Sequence, residues 1–180
     1  MGSGNIHRML VQNVAVCMIL LATFRLQAQQ YVRSNERAIT SFYTKQHKRA
    51  VIAVDTADKY IVYRYGTSKK IELEYPGRDT ASWRKMQFYW YLHPSSGENN
   101  GFDMYNISFV RDTFRYVVFL TNAGDEGGEH LGIIILNLKG KILAEIPGDL
   151  RTLKGHLMAL RDYEELLSHG AEEYDDPNIN

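Results

Sequence analysis

Between Ala50 and Ile146, polar and apolar residues alternate with a period of two almost without interruption. The segments AVIAVD (50–55), KYIVYRY (59–65), KIELEY (70–75) and MQFYWYL (86–92) carry it first. MYNISFV (104–110), FRYVVFL (114–120), LGIIILNL (131–138) and KILAEI (141–146) follow. All are rich in Val, Ile, Tyr, Phe or Trp, and successive side chains on a strand point to opposite faces, so each predicts a strand. With no helical period between most of them, they predict an all-β fold: an antiparallel barrel or sandwich of about eight strands with a short C-terminal helix. LGIIILNL is apolar on both faces and is expected at the centre of the sheet.

The connections are equally legible. Leu138-Lys139-Gly140-Lys141 predicts a tight hairpin with glycine available for positive φ, and Arg111-Asp112-Thr113 predicts a second short turn. HPSSGENNGFD (93–103) and NAGDEGGEH (122–130) read as longer polar loops. The domain is expected over residues 50–170, preceded by a lead-in of mixed polarity over 29–49. Beyond Pro147 two outcomes stand open: a strand around HLMAL followed by a helical turn through DYEELL, or one helix from His156 to His169. The last ten residues, AEEYDDPNIN, read as a disordered acidic tail.

Residues 1–28 change the picture of compartment. A polar start with Arg8 precedes the apolar run VAVCMILLATF (14–24), then Arg25 and LQAQQ. This is the pattern of a secretory signal peptide, with cleavage expected after Ala28. The rival reading is a retained membrane anchor, but that needs roughly 20 apolar residues and Arg25 interrupts the run. Valine before Cys17 does not suit a lipoprotein signal, and Ile6 does not suit N-myristoylation. The expected location is periplasmic or secreted.

Cys17 is the only cysteine and lies inside that signal, so the processed chain would have no disulfide, thiol catalysis or cysteine metal site. The 21 basic and 21 acidic residues balance; removing Arg8 and Arg25 leaves 19 against 21. No Lys/Arg block marks a nucleic-acid footprint. The six histidines show no i, i+4 metal spacing, and H-E-x-x-H, G-x-S-x-G, S-x-x-K and a Gly-rich phosphate loop are all missing. No cofactor or metal is expected.

Candidate binding residues come from aromatic and charged positions. In KYIVYRYGTSKKIELEYP (59–76), pairing Tyr65 with Ile71 puts Ile61, Tyr63, Tyr65, Ile71, Leu73 and Tyr75 on a core face. Tyr60, Arg64, Glu72 and Glu74 then share the other face, with Arg64 opposite Glu72. That face is either the solvated frame of the domain or a ligand platform. In QFYWYLH, Tyr89 and Tyr91 alternate with Phe88, Trp90 and Leu92. They suit stacking or a protein interface, against the plainer expectation of a central strand covered on both faces. The 93–103 loop offers Asn99, Asn100 and Asp103 as contact residues, with Glu98 beside them. The 122–130 loop offers Asp125, Glu126, Glu129 and His130. Neither loop has EF-hand spacing, so solvated turns are expected rather than calcium sites. Asn106-Ile107-Ser108 is formally a glycosylation triplet inside a predicted strand. Glu72 and Glu74 would lie about 7 Å apart on one strand face, a spacing open to acid/base work on a sugar.

YIVYRYG followed by KIELEYP, then NNGFDMYNISF and a later GIII strand, resembles a family of small, uncharacterised exported bacterial β-proteins. The resemblance covers about residues 50–145. It implies the fold and the compartment; this chain has SSGENNGFDMYN where the family is richer in glycine. In architecture alone the chain is also similar to periplasmic lysozyme inhibitors and immunity proteins.

The function expected is therefore that of an exported, non-enzymatic binding protein of the bacterial cell envelope, of inhibitor or immunity type, whose partner is another envelope protein. No nucleic acid is expected, and membrane contact only through an uncleaved signal. The alternatives are a barrel holding a small apolar ligand in an interior cavity, and a carbohydrate-active enzyme using Glu72, Glu74 or Asp103.

Overall fold

The computed structural model describes residues 30–93, 101–122 and 124–170. The predicted signal peptide, the acidic tail and the loop residues Glu98, Asn99 and Asn100 lie outside them. Ten strands form one curled, half-barrel sheet. They are β1 (Glu36–Thr44), β2 (Arg49–Asp55), β3 (Ile61–Gly66), β4 (Ile71–Tyr75) and β5 (Gln87–His93). Then come β6 (Phe102–Arg111), β7 (Phe114–Asn122), β8 (Glu129–Asn137), β9 (Ile142–Gly155) and β10 (Ser168–His169). Their spatial order is β10-β5-β6-β7-β8-β9-β1-β2-β3-β4. Every neighbouring pair is antiparallel except β10 with β5.

The all-β expectation holds, and the two strands beyond the predicted eight have physical reasons. β1 lies in the lead-in, where a bulge between Ala38 and Thr40 breaks the period of two that would have announced it. β10 is only two residues long. β9 runs straight through Pro147, because its pairing passes there from β8 to β1. Neither reading of the C-terminal stretch is met in full. A 3₁₀ helix spans Leu157–Tyr163, earlier than DYEELL, and its buried residues Leu157, Leu160 and Tyr163 recur every third position.

The concave side of the curl is filled by side chains. Ile52, Ile61, Phe88, Ile107, Phe109 and Ile133 point into it, and Leu157, Leu160, Tyr163 and Leu167 close it from the C-terminal segment. Phe109 stacks on Tyr75 at 4.7 Å and on Tyr116 at 5.1 Å, joining β4 to the β6–β7 hairpin. β8 is central: Leu131 and Ile133 face this core, while Ile134 and Leu136 join Val117 and Phe119 in a second cluster on the other face. β5 departs from the expectation of cover on both faces. It lies next to the sheet edge, with only the short β10 outside it; Phe88, Trp90 and Leu92 face the core, and Tyr91 is exposed on the other side.

The β3–β4 hairpin has a different register from the predicted one. Tyr65 pairs with Leu73, and Arg64 with Glu74 rather than Glu72, because a bulge between Tyr65 and Gly66 takes up Glu72 as an extra residue. Ile71 accordingly leaves the core face and packs with Tyr31, Val51, Ala53, Tyr60 and Val62 on the opposite one. That opposite face is not solvated, since Tyr31 and Val32 of the lead-in lie across it.

Candidate functional site

Two places in the fold gather charged and aromatic side chains. The first is the face of β3 on which Tyr60 and Arg64 were expected to be exposed. Both are buried, Arg64 completely at 0%. Its guanidinium grips Glu36 with two bonds, Nη1 to Oε2 at 2.6 Å and Nη2 to Oε1 at 2.8 Å. It also donates from Nη1 to the Tyr31 carbonyl at 2.8 Å and from Nε to Glu74 at 2.6 Å. Glu36 accepts further bonds from the Tyr60 hydroxyl (2.9 Å) and the Arg33 amide (2.8 Å). Asn35 donates to both Tyr60 and Asp55. Burial alone would raise the Glu36 carboxyl, but the bonds from Arg64, Arg33 and Tyr60 and the Arg64 charge hold it below the usual range. Burial opposes the Arg64 charge as well, and its two carboxylate partners outweigh it, so the guanidinium titrates above its ordinary value. Tyr31 donates its hydroxyl to the Thr67 carbonyl at 2.8 Å; burial, helped by the Glu72 charge, raises it to about 12. Every polar group in this cluster has a partner, and the set fastens the lead-in to the sheet. Its outer members Arg33, Asn35 and Glu74 line a hollow of about 540 Å³ beside the buried pair.

The other sequence candidates are dispersed. Glu74 is engaged by Arg64 and lies within 3.5 Å of Arg33 and 3.3 Å of Arg78. Glu72 pairs with Lys48 at 2.5 Å. Both carboxylates sit in ion pairs on different partners, and both side chains stay partly exposed, Glu72 at 35% and Glu74 at 28%. Tyr89 is half-buried and Tyr91 exposed on β5, where Tyr91 lies 6.1 Å from Phe102 and 6.4 Å from His93. Asp103 is half-buried at the start of β6, opposite Leu92 and Asn122. Among the described residues no three His, Cys, Asp or Glu side chains are grouped to hold a metal ion.

The second place is a hollow of about 910 Å³ where the halves of the sheet meet. Its cause lies in β9. Pro147 pairs with Gly132 of β8, whereas the next residue, Gly148, pairs with Thr44 of β1. β8 and β1 part at that point, and the Lys45 amide closes the seam with a 2.9 Å bond to the Pro147 carbonyl. Its apolar lining comes from Phe119, Leu131, Ile134, Ile146 and Pro147. Gly132 shapes it, since a Cβ there would meet the Ile146 carbonyl oxygen at 2.9 Å and the Phe119 ring at 3.0 Å. The ring can lie over this position only because no side chain occupies it.

Charges of both signs form the rim. Lys45 and His47 come from the β1–β2 turn, Glu129 and His130 from the start of β8, and Glu145, Asp149 and Arg151 from β9. Arg151 donates to Asp149 twice, at 2.9 and 2.8 Å, and these bonds hold the Asp149 carboxyl below its ordinary range. Glu129 and Glu145 have no ion-pair partner among the described residues. Of this rim, sequence reading singled out only Glu129 and His130. The missed signal was the Pro147-Gly148 pair breaking an otherwise continuous strand pattern.

Comparison with known proteins adds no relative: no family model, curated protein or solved structure matches the chain. Among the described residues, no helix is long and apolar enough to cross a membrane.

Proposed function

We propose that the protein is an exported, non-enzymatic binding protein of the bacterial cell envelope, of inhibitor or immunity type, and that its protein partner docks at the seam hollow. The observation that carries this reading is the hollow itself, whose lining combines apolar side chains with charges of both signs. Protein interfaces combine an apolar centre with a polar rim in this way, and unmatched rim charges such as Glu129 and Glu145 steer and select the partner. The buried Arg64–Glu36 pair is fully bonded within the chain and serves the fold instead.

The test compares capture of envelope proteins by wild type and by Glu145→Lys, a rim substitution. A single saturable partner is expected, held at least about tenfold more weakly by the variant, because like charges then face one another. A partner bound equally by both, or no saturable partner, would sink the reading. A second reading keeps one specific support: about 910 Å³ is also within the range of small-molecule sites. An apolar compound co-purifying in stoichiometric amount, and displaced by Ile134→Trp, would favour that reading over the first.

A further inference from the structure

Independently of the hollow, the molecule has a second surface of unusual composition. Of the large apolar side chains left exposed, Val110, Phe114, Leu138 and Leu143 gather at one end of the sheet. Val110 and Phe114 flank the β6–β7 turn, Leu138 opens the β8–β9 turn at 62% exposure, and Leu143 sits on a bulge of β9. The register sets the two turns side by side, since Phe114 pairs with Asn137, the residue before Leu138. Single exposed apolar residues are ordinary, but a group at adjoining turns is not.

The charge at this end is just as uneven. Residues 110–114 and 137–143 contain Arg111, Lys139 and Lys141 against one acid, Asp112, which lies 3.8 Å from Arg111. That is an excess of two positive charges in a chain whose 21 basic and 21 acidic residues balance. Both turns are tightly built. Asp112 and Gly140 take positive φ, and the Asn137 side-chain oxygen accepts the Lys139 and Lys141 amides at 2.9 and 3.0 Å. The apolar tips are therefore presented on set turns among cations.

We propose that this hairpin end docks on an anionic lipid surface. Its cations would meet headgroup phosphates, while Leu138, Phe114 and Val110 enter the boundary between headgroups and acyl chains. The match of a cationic, apolar tip to an anionic, apolar-backed surface selects this occupant. An RNA would call for a row of stacking aromatics, and among the described residues of these two turns Phe114 is the one exposed aromatic.

The experiment is co-sedimentation of the full chain with vesicles of phosphatidylcholine, alone or mixed with phosphatidylglycerol. The segment before residue 30 is common to all variants, so the ratio of variant to wild type isolates the hairpin end. Wild type should bind the anionic vesicles more tightly than the neutral ones, and lose that preference as salt rises from about 0.1 M to about 1 M. Lys139→Gln and Lys141→Gln should each weaken anionic binding about fivefold, the factor expected for one basic residue near such a surface. Leu138→Ser should weaken it at least about fivefold, with thermal unfolding unchanged because the residue is exposed. Failure to bind anionic vesicles overturns the proposal, as does equal binding to both lipids or binding that all three variants leave intact. Capture of an envelope protein through these same side chains, with no vesicle binding, would overturn it in favour of a protein partner.

Discussion

Arg64 and Arg151 each hold a carboxylate through two nitrogen–oxygen contacts, at 2.6 and 2.8 Å in one case and 2.9 and 2.8 Å in the other. Their surroundings could hardly differ more: the Arg64 side chain is 0% exposed and the Arg151 side chain 89%. At Arg64 the charge has left water, so the carboxylates, the Tyr31 carbonyl and the Tyr60 hydroxyl must together replace hydration. At Arg151 water still solvates both partners, and the same geometry is a loose constraint on one side of the hollow. Contact distance alone therefore does not separate structural charge from recognition charge. Saturation does: the buried cluster closes on itself, whereas the seam rim keeps Glu129 and Glu145 without a described partner.

The sharpest way to break this comparison is to remove each arginine. Arg64→Met should cost about 3–5 kcal/mol, because it leaves Glu36 buried with an uncompensated charge. The unfolding midpoint should drop by roughly 6–20 °C for a chain of this size. Arg151→Met should leave thermal unfolding unchanged. Glu36→Met combined with Arg64→Met should recover part of the loss, since no lone charge then remains inside. If Arg64→Met proves as mild as Arg151→Met, the clasp is not what holds the lead-in to the sheet.

Acid should test the buried cluster next. The folded-state carboxyl of Glu36 lies below its ordinary range, so the ionised form favours folding. That contribution is complete above the unfolded value near 4.3 and disappears as pH falls through the lower folded value. Asp55 acts in the same sense: burial pushes it up, but bonds from Asn35 and the Ala57 and Lys59 amides hold it down. Glu36→Gln should be less stable than wild type at neutral pH, and the gap should narrow from about pH 4 downward. Urea unfolding across that range measures it; two curves that stay parallel would show that Glu36 does not contribute this slope.

What could be read from the chain follows from how local each signal is. Alternation in FRYVVFL and LGIIILNL fixes strand identity by itself, because the period of two needs no knowledge of neighbours. β1 was hidden by its bulge, and the 3₁₀ helix by a spacing of three that fits neither strand nor α-helix. The Arg64 face was misread for a longer-range reason. Whether Tyr60 and Arg64 meet solvent depends on Tyr31 and Val32, some thirty residues earlier, folding across them. The seam hollow is more distant still from any local pattern, since it exists only where β9 exchanges β8 for β1. Its one trace in the sequence is Pro147-Gly148, which reads as a strand end and is instead a change of partner.

The smallest effect is expected where a pair lies between the two extremes. Lys48 and Glu72 meet at 2.5 Å with both side chains 35% exposed, and Lys48 lies 5.5 Å from the centre of the Tyr65 ring. Half in water, the pair should contribute at most about 1 kcal/mol, less whatever salt screens. Glu72→Gln should shift the urea midpoint slightly at low salt and not at all near 1 M salt. The Arg64→Met loss should persist in salt, because counter-ions cannot reach a buried carboxylate. A Glu72→Gln effect that survived high salt would place the bulged end of β4 with the buried cluster, and the boundary between clasp and surface would move from Arg64 out to the hairpin edge.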